Sequence, residues 1–151
     1  MIGYLSREQA EAFIMENIFG HIGCNDGYNT YIFPTNYVYD GKYIYGHSYA
    51  GSKIIIMRNN NRVCFQVEEI NDPVNWKSVM VQGLYEEIDD ERERYYAMKA
   101  FNENMFNLKI SETAAFPENI DHENDLYALG HFKPVIYRIL LNEVTGRYEQ
   151  K

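Results

Sequence analysis

Cysteine is scarce in this 151-residue chain, with only Cys24 and Cys64 present. Two cysteines so far apart make neither a disulfide framework nor the paired spacing of a zinc site. They read instead as two buried thiols on strands. Basic residues are outnumbered, 14 Lys and Arg against 22 Asp and Glu, for a formal net charge of −8. That balance argues against nucleic acid as a partner, because such binding needs cations to displace counterions. An anionic ligand would have to be held by a local cluster of donors set against the global charge. No apolar run approaches the roughly 20 residues of a membrane span. The first residues also lack the basic region, apolar stretch and cleavage site of a signal peptide. The expectation is a cytoplasmic protein with no membrane association.

What the chain does have is tyrosine. Fourteen Tyr and eight Phe in a chain that is 46% hydrophobic favour strands, since aromatic side chains suit a pleated, half-buried surface. The tyrosine hydroxyls want partners or water, which places many of them at rims, clefts or an interface. The length fits a single domain over residues 1–151, with room for a sizeable core.

Turn and cap signals divide the chain. Ser6 and Gln9 form a capping box ahead of Ala10, Phe13, Ile14 and Ile18 at helical spacing, with Gly20 as the stop. A short strand at His21–Cys24 leads into the hairpin signal Asn25-Asp26-Gly27. The strand Thr30–Tyr39 carries side chains of similar size on both faces, which predicts that both are covered. Pro34 within it predicts a bulge or an edge. Asp40-Gly41 supplies a two-residue turn to Lys42–Ser48, and Gly51–Met57 reads as a short helix ended by an Asn-rich exit. Strands follow at Arg62–Glu69 and Trp76–Ile88, with Gly83 as a bulge or bend. Asp89 or Asp90 caps a helix whose buried face runs Arg94, Met98, Phe101, Met105, Leu108. Residues 109–134 are the least regular; a last strand, Val135–Asn142, precedes a Thr145-Gly146 turn. Six antiparallel strands with these helices predict a mainly β fold, a small closed barrel.

The chemistry concentrates in Phe33–Lys53. A strand that ends at His47-Ser48 and passes through Gly51 into a helix presents free backbone N–H groups and the positive end of a helix dipole. Gly51 permits close approach, Ser48 and Ser52 add hydroxyls, and Lys53 adds a charge, a set suited to a phosphate monoester. The same residues also make an ordinary capped surface helix, and the Walker spacing is absent. His47 is either a structural strand histidine or an acid–base group near neutral pH. Trp76, followed by Lys77 and Ser78, suits the edge of a flat ligand or a barrel end. The acidic runs and His21, His122 and His131 lack metal-ligand spacing.

Taken in order, several segments resemble the FMN-binding split-barrel superfamily, the pyridoxamine 5′-phosphate oxidase-like proteins. These are Phe33–Gly41, Ile44–Ser48, Gly51–Lys53, Arg62–Phe65, Trp76–Gly83, and Tyr137–Ile139 with Thr145–Arg147. Within that superfamily the resemblance is to the short branch that includes nitroimidazole-resistance flavoproteins. It implies a six-stranded antiparallel FMN-binding split barrel, and a homodimer with FMN at the subunit interface. It implies further that Ser48 and Lys53 take the phosphate, beside Gly51. Thr35, Asn36 and Tyr37 would lie along the isoalloxazine ring, while Trp76, Ser78 and Val79 line the site from the neighbouring strand. His47 would stand nearest the reactive face, as the catalytic residue.

The implied activity is an FMN-dependent oxidoreductase passing electrons from NAD(P)H to a small flat acceptor, with nitroimidazole-type compounds in view. Vitamin B6 oxidation is not expected, because the C-terminal Arg/His motif and the Trp-rich ending of the true oxidases are missing. The competing readings are a flavin carrier without turnover, and a related barrel holding haem or a deazaflavin.

Overall fold

A computed structural model describes residues 1–107 and 134–151 of the chain. The elements in order are β1 (Ile2–Leu5), α1 (Arg7–Glu16), β2 (Phe19–Asn25), β3 (Thr30–Asn36), β4 (Val38–Tyr39) and β5 (Tyr43–Ser48). After them come α2 (Ser52–Asn59), β6 (Arg62–Asp72), β7 (Asn75–Glu87), α3 (Glu91–Asn107) and β8 (Val135–Glu149). The strands join in one antiparallel sheet of order β3-β2-β6-β7-β8-β5-β4, with β1 paired to β8. Long β8 is its spine: Val135–Leu140 pair with β5, Tyr137–Glu149 with β7, and Gly146–Glu149 with β1.

The sheet therefore has eight strands among the described residues, not six, and hydrogen bonds do not close it. The two ends of the path, β3 and β4, are consecutive pieces of the stretch Thr30–Tyr39, parted at Tyr37. Tyr37 turns its fully buried ring into the core, edge-on to Phe65 with centroids 5.0 Å apart. Its hydroxyl donates to the Ile14 carbonyl oxygen at 2.6 Å, and its backbone N–H donates to Ile18 at 2.8 Å. Anchored at both points, the chain leaves one sheet edge and enters the other. The barrel is split there.

Two faces result. One forms the main core, where Ile22, Phe65, Val79, Val81 and Ile139 meet Ala10, Phe13 and Ile14 of α1 and Ile54 and Met57 of α2. Each Val, Ile, Phe or Met side chain here is worth about 1.5–3 kcal/mol against leaving it in water. The other face is covered by α3 at the β4–β5–β8 end, where Val38, Tyr45 and Ile136 pack on Ala97, Met98 and Phe101. Elsewhere on that face Tyr4, Ile32 and Met80 stay exposed, at 75%, 73% and 39%. The expectation that both faces of Thr30–Tyr39 are covered fails at Ile32 and Pro34, which lie on an open edge strand.

Local signals fare well. Ser6 and Gln9 form the capping box, and Asp90 caps α3 by accepting from the Glu93 N–H at 2.9 Å. The register slips at Gln82/Gly83, where a Cβ on Gly83 would stand 2.5 Å from the Leu140 oxygen. The α3 face holds for Arg94, Met98 and Phe101, whereas the expected Leu108 lies outside the described residues.

Two glycines and one turn need correction. Asn17, not Gly20, ends α1; Gly20 sits in β2 with the Phe65 ring where a Cβ would be. Thr145 and Gly146 make no turn; they continue β8, because Gly146 leaves room for Leu5 across the β1 pairing. In the second hairpin the central residues are Gly41 and Lys42, bracketed by the Asp40 N–H to Tyr43 oxygen bond of 3.2 Å. Cys24 is buried and Cys64 half-buried, and both are free. No helix among the described residues is long and apolar enough to cross a membrane.

Candidate functional site

The residues singled out in the sequence fall into three groups. The first is the run from the end of β5 into α2. Ser48 is half-buried, and its Oγ donates to the Tyr49 carbonyl at 3.0 Å. Gly51 is the N-cap of α2 in extended backbone, and no side chain caps the helix. The first-turn N–H groups of a helix have no partner of their own, so this terminus keeps donors to offer. Space around Gly51 is open: a Cβ there would meet nothing nearer than the Tyr49 oxygen at 4.0 Å. Ser52 opens the helix, and Lys53 extends back so that Nζ lies 4.7 Å from the centre of the Phe33 ring. That cation–π contact ties α2 to β3, worth about 0.5–1 kcal/mol at an exposed site.

The second group is the β3–β4 seam. Thr35 Oγ1 donates to the Asn36 carbonyl at 3.0 Å and lies 3.3 Å from the Tyr137 hydroxyl. Asn36 Oδ1 is buried with no hydrogen-bond partner, a costly state for a polar atom. Tyr37 presents only its backbone to a ligand, since its ring is in the core.

The third group is on β7. Ser78 and Trp76 share a face, by strand alternation, with exposed Met80. Ser78 Oγ accepts from Gln66 Nε2 at 3.0 Å, and the Trp76 indole N–H donates to Glu149 at 3.1 Å. Val79 points the opposite way and is fully buried in the main core, leaving its backbone alone to face outward. A cavity of about 220 Å³ adjoins Trp76, between Lys77, Tyr148 and Glu69.

His47 joins none of these groups. It alternates with Ser48 along β5, so it faces α3, where its ring meets Phe101 edge-on with centroids 4.8 Å apart. His122 and His131 lie outside the described residues. Among the described residues no group of three His, Cys, Asp or Glu could hold a metal ion.

Three contacts escaped sequence reasoning: Phe33 under Lys53, Gln66 on Ser78, and Tyr137 on Thr35. Only Gly46 hinted at the last. A glycine within a strand signals close approach, and here the Tyr137 hydroxyl lies 2.5 Å from where a Cβ would be.

Comparison with known proteins agrees with this architecture. An FAD-binding protein of Mesorhizobium loti superposes with a TM-score of 0.75 at 26% identity, covering 100% of this chain and 98% of that one. A candidate 5-nitroimidazole antibiotic resistance protein of Bacteroides thetaiotaomicron gives 0.69 at 19% identity, with 98% and 89% covered. An uncharacterised protein of Rhizobium meliloti (strain 1021) is 33% identical over 84 residues, 56% of this chain and 56% of that relative. The fold is the split barrel of these proteins. A family model described as pyridoxamine 5′-phosphate oxidase matches residues 6–148, and the chain belongs to that family.

Proposed function

We propose that this protein is an FMN-binding flavoprotein, an oxidoreductase that passes electrons from NAD(P)H to a small flat acceptor. Nitroimidazole-type compounds are the first acceptors to test. The observation that carries the reading is the donor set at the start of α2: an uncapped helix terminus opening at Gly51, with the Ser52 hydroxyl and Lys53 beside it. Backbone N–H groups, a hydroxyl and an ammonium are what a phosphate monoester needs, and they stand against a formal charge of −8. The donor set fits FMN. The FAD-binding M. loti neighbour adds support for a flavin of either kind, and the B. thetaiotaomicron neighbour for the acceptor class.

When bound, the flavin supplies the redox chemistry, and the chain supplies position and electrostatics. Ser48, Gly51, Ser52 and Lys53 would hold the phosphate. Thr35, Asn36 and the backbone of Tyr37 would run along the ring, with Trp76, Ser78 and the backbone of Val79 on its far side. His47, packed edge-on against Phe101, points to the opposite face of β5 from Ser48; in this reading it is the catalytic candidate.

A homodimer belongs to the same proposal. The sheet face bearing Trp76 and Ser78 also exposes Tyr4, Ile32 and Met80, residues suited to the centre of an interface. In this proposal the β7 group of one subunit completes the flavin site of the other. Sedimentation at micromolar concentration should report a dimer.

The test is the absorption spectrum of the purified protein, followed by release and identification of the bound flavin. A blue-light flavin band, released FMN, and anaerobic bleaching by NADH or NADPH are expected. Released FAD would correct the cofactor, and slow bleaching would leave a carrier. A Soret band, or no chromophore after FMN titration, would overturn the reading. Lys53→Ala removes a charge-assisted bond of about 1.5–3 kcal/mol, so FMN should bind about tenfold to a hundredfold more weakly. Unchanged retention would move the phosphate elsewhere.

A further inference from the structure

The Asn36–Tyr37 peptide, at which the barrel splits, is held at both of its polar atoms. Its N–H donates to the Ile18 carbonyl at 2.8 Å, and its carbonyl accepts from Thr35 Oγ1 at 3.0 Å. A threonine hydroxyl carries one hydrogen, and here it is spent on that carbonyl. The 3.3 Å bond between Thr35 Oγ1 and Tyr137 must then be donated by Tyr137. The result is a directed chain, from the Tyr137 hydroxyl to the Thr35 hydroxyl to the Asn36 carbonyl. It runs from the β8 spine across to the sheet edge.

Tyr137 is placed for this by its surroundings. It is buried, its ring centroid lies 5.3 Å from that of Tyr85, and Gly46 opposite leaves the space its hydroxyl occupies. Burial pushes its phenol up to about 12, so it stays a donor throughout the neutral range.

We propose that Tyr137 is a positioning residue for the candidate ligand wall: through Thr35 it fixes the orientation of the Asn36–Tyr37 peptide that would face the flavin ring. This rests on the proposed function in placing a flavin there, although the peptide's own restraint does not. Tyr137 acts by holding the backbone that would face the ligand.

Two variants and two readouts test it. Tyr137→Phe keeps the ring and removes the donor. Gly46→Ala leaves Tyr137 intact but puts a Cβ 2.5 Å from its hydroxyl, so the hydroxyl must leave Thr35. In both, the Tyr37 amide should exchange with deuterium at least fivefold faster in ligand-free protein. The amides of Ala10 and Asn60, bonded within or at the ends of helices, should be unchanged. In flavin-loaded protein the affinity should fall severalfold and the flavin absorption band should shift. Unchanged Tyr37 exchange in both variants would overturn the proposal, as would equal acceleration at all three amides, which marks a general loss of stability. A wild type that holds no flavin would sink the flavin reading alone, and the exchange comparison would still decide the role of Tyr137.

Discussion

The two β-hairpins of this chain, Asp26–Tyr31 and Asp40–Tyr45, are built by the same device. Each reads Asp-Gly-x-x-x-Tyr. Asp26 Oδ1 accepts from the Tyr28 and Asn29 N–H groups at 2.8 and 2.7 Å, and Asp40 Oδ1 from Lys42 and Tyr43 at the same two distances. The second carboxylate oxygen takes a tyrosine hydroxyl in each case, Tyr31 at 3.1 Å and Tyr45 at 2.9 Å. Gly27 and Gly41 have φ of 101° and 97°, in the region L residues avoid. Yet the hairpins stand in different places. The first is a free tip, with Tyr28 and Tyr31 exposed. The second is pressed under α3, where Tyr45 joins the cluster of Ile136 and Phe101, and its strand runs on to Ser48, at the start of the run proposed to hold a phosphate. Local chemistry fixes the turn in both; the surroundings decide what the turn is worth.

The tyrosines separate the two terms best. Tyr45→Ala should cost about 3 kcal/mol, because it opens a cavity under α3, whereas Tyr31→Ala should stay within about 1 kcal/mol. Urea denaturation measures both, and equal costs would mean that α3 adds nothing to the second hairpin. The aspartates come next. Asp40→Ala should lose about 1 kcal/mol, the turn bonds to the Lys42 and Tyr43 amides and the tie to the Tyr45 hydroxyl held against α3; Asp26→Ala, whose Tyr31 partner packs on no helix, should lose less in the same assay. The glycines should not distinguish the hairpins at all. A Cβ at Gly27 or Gly41 meets nothing within 4 Å, so Gly→Ala should cost about 1 kcal/mol at each, purely from the backbone.

The smallest effect is in pH. Backbone N–H groups of Asn29 and Tyr28 hold the Asp26 carboxyl below its ordinary range. Its contribution is present above the unfolded value near about 3.9 and fades as pH falls through the lowered folded value. Asp26→Asn should flatten that acid limb. At the second hairpin the sign reverses. Burial, then the Asp40 bond, pushes Tyr45 up to about 12. Its contribution is complete below about 10 and is lost as pH rises from there towards the folded value. Tyr45→Phe should remove this share of the alkaline limb, leaving the shares of Tyr37, Tyr39, Tyr85 and Tyr137, which burial also raises.

What could be read without the structure is what the hairpins share. The Asp-Gly turns, the Ser6–Gln9 box, the Gly83 bulge and the Pro34 edge each depend on neighbours a few residues away or on one backbone property. What escaped depends on partners distant in the chain. Gly20 and Gly146 looked like stops, because a glycine that makes room for Phe65 or Leu5 has the same letter as one that ends a helix or turns a chain. Of the candidate site, the strand-to-helix run Ser48–Lys53 is legible in the sequence as a structural element. Its link to Phe33, and the Tyr137 support of Thr35, were not, since both need the sheet order. The orientation of Val79 also needs the sheet: its side chain is core and strand parity puts it opposite Ser78, so only its backbone can line a ligand wall. β1 escapes because Ile2, Tyr4 and Leu5 are all apolar or aromatic, so its alternating exposure leaves no polar–apolar alternation in four residues of sequence.

The splitting of one stretch into both ends of the sheet bears on how these molecules behave when crowded. An unpaired strand edge is a template for adding foreign chains, and a long flat one invites aggregation. Here the two path ends lie within ten residues of each other in the chain, 30–39, so one short segment governs both. One end, β4, is two residues long, and the other carries Pro34, which has no N–H to give. Both devices against edge pairing thus sit where the barrel comes apart.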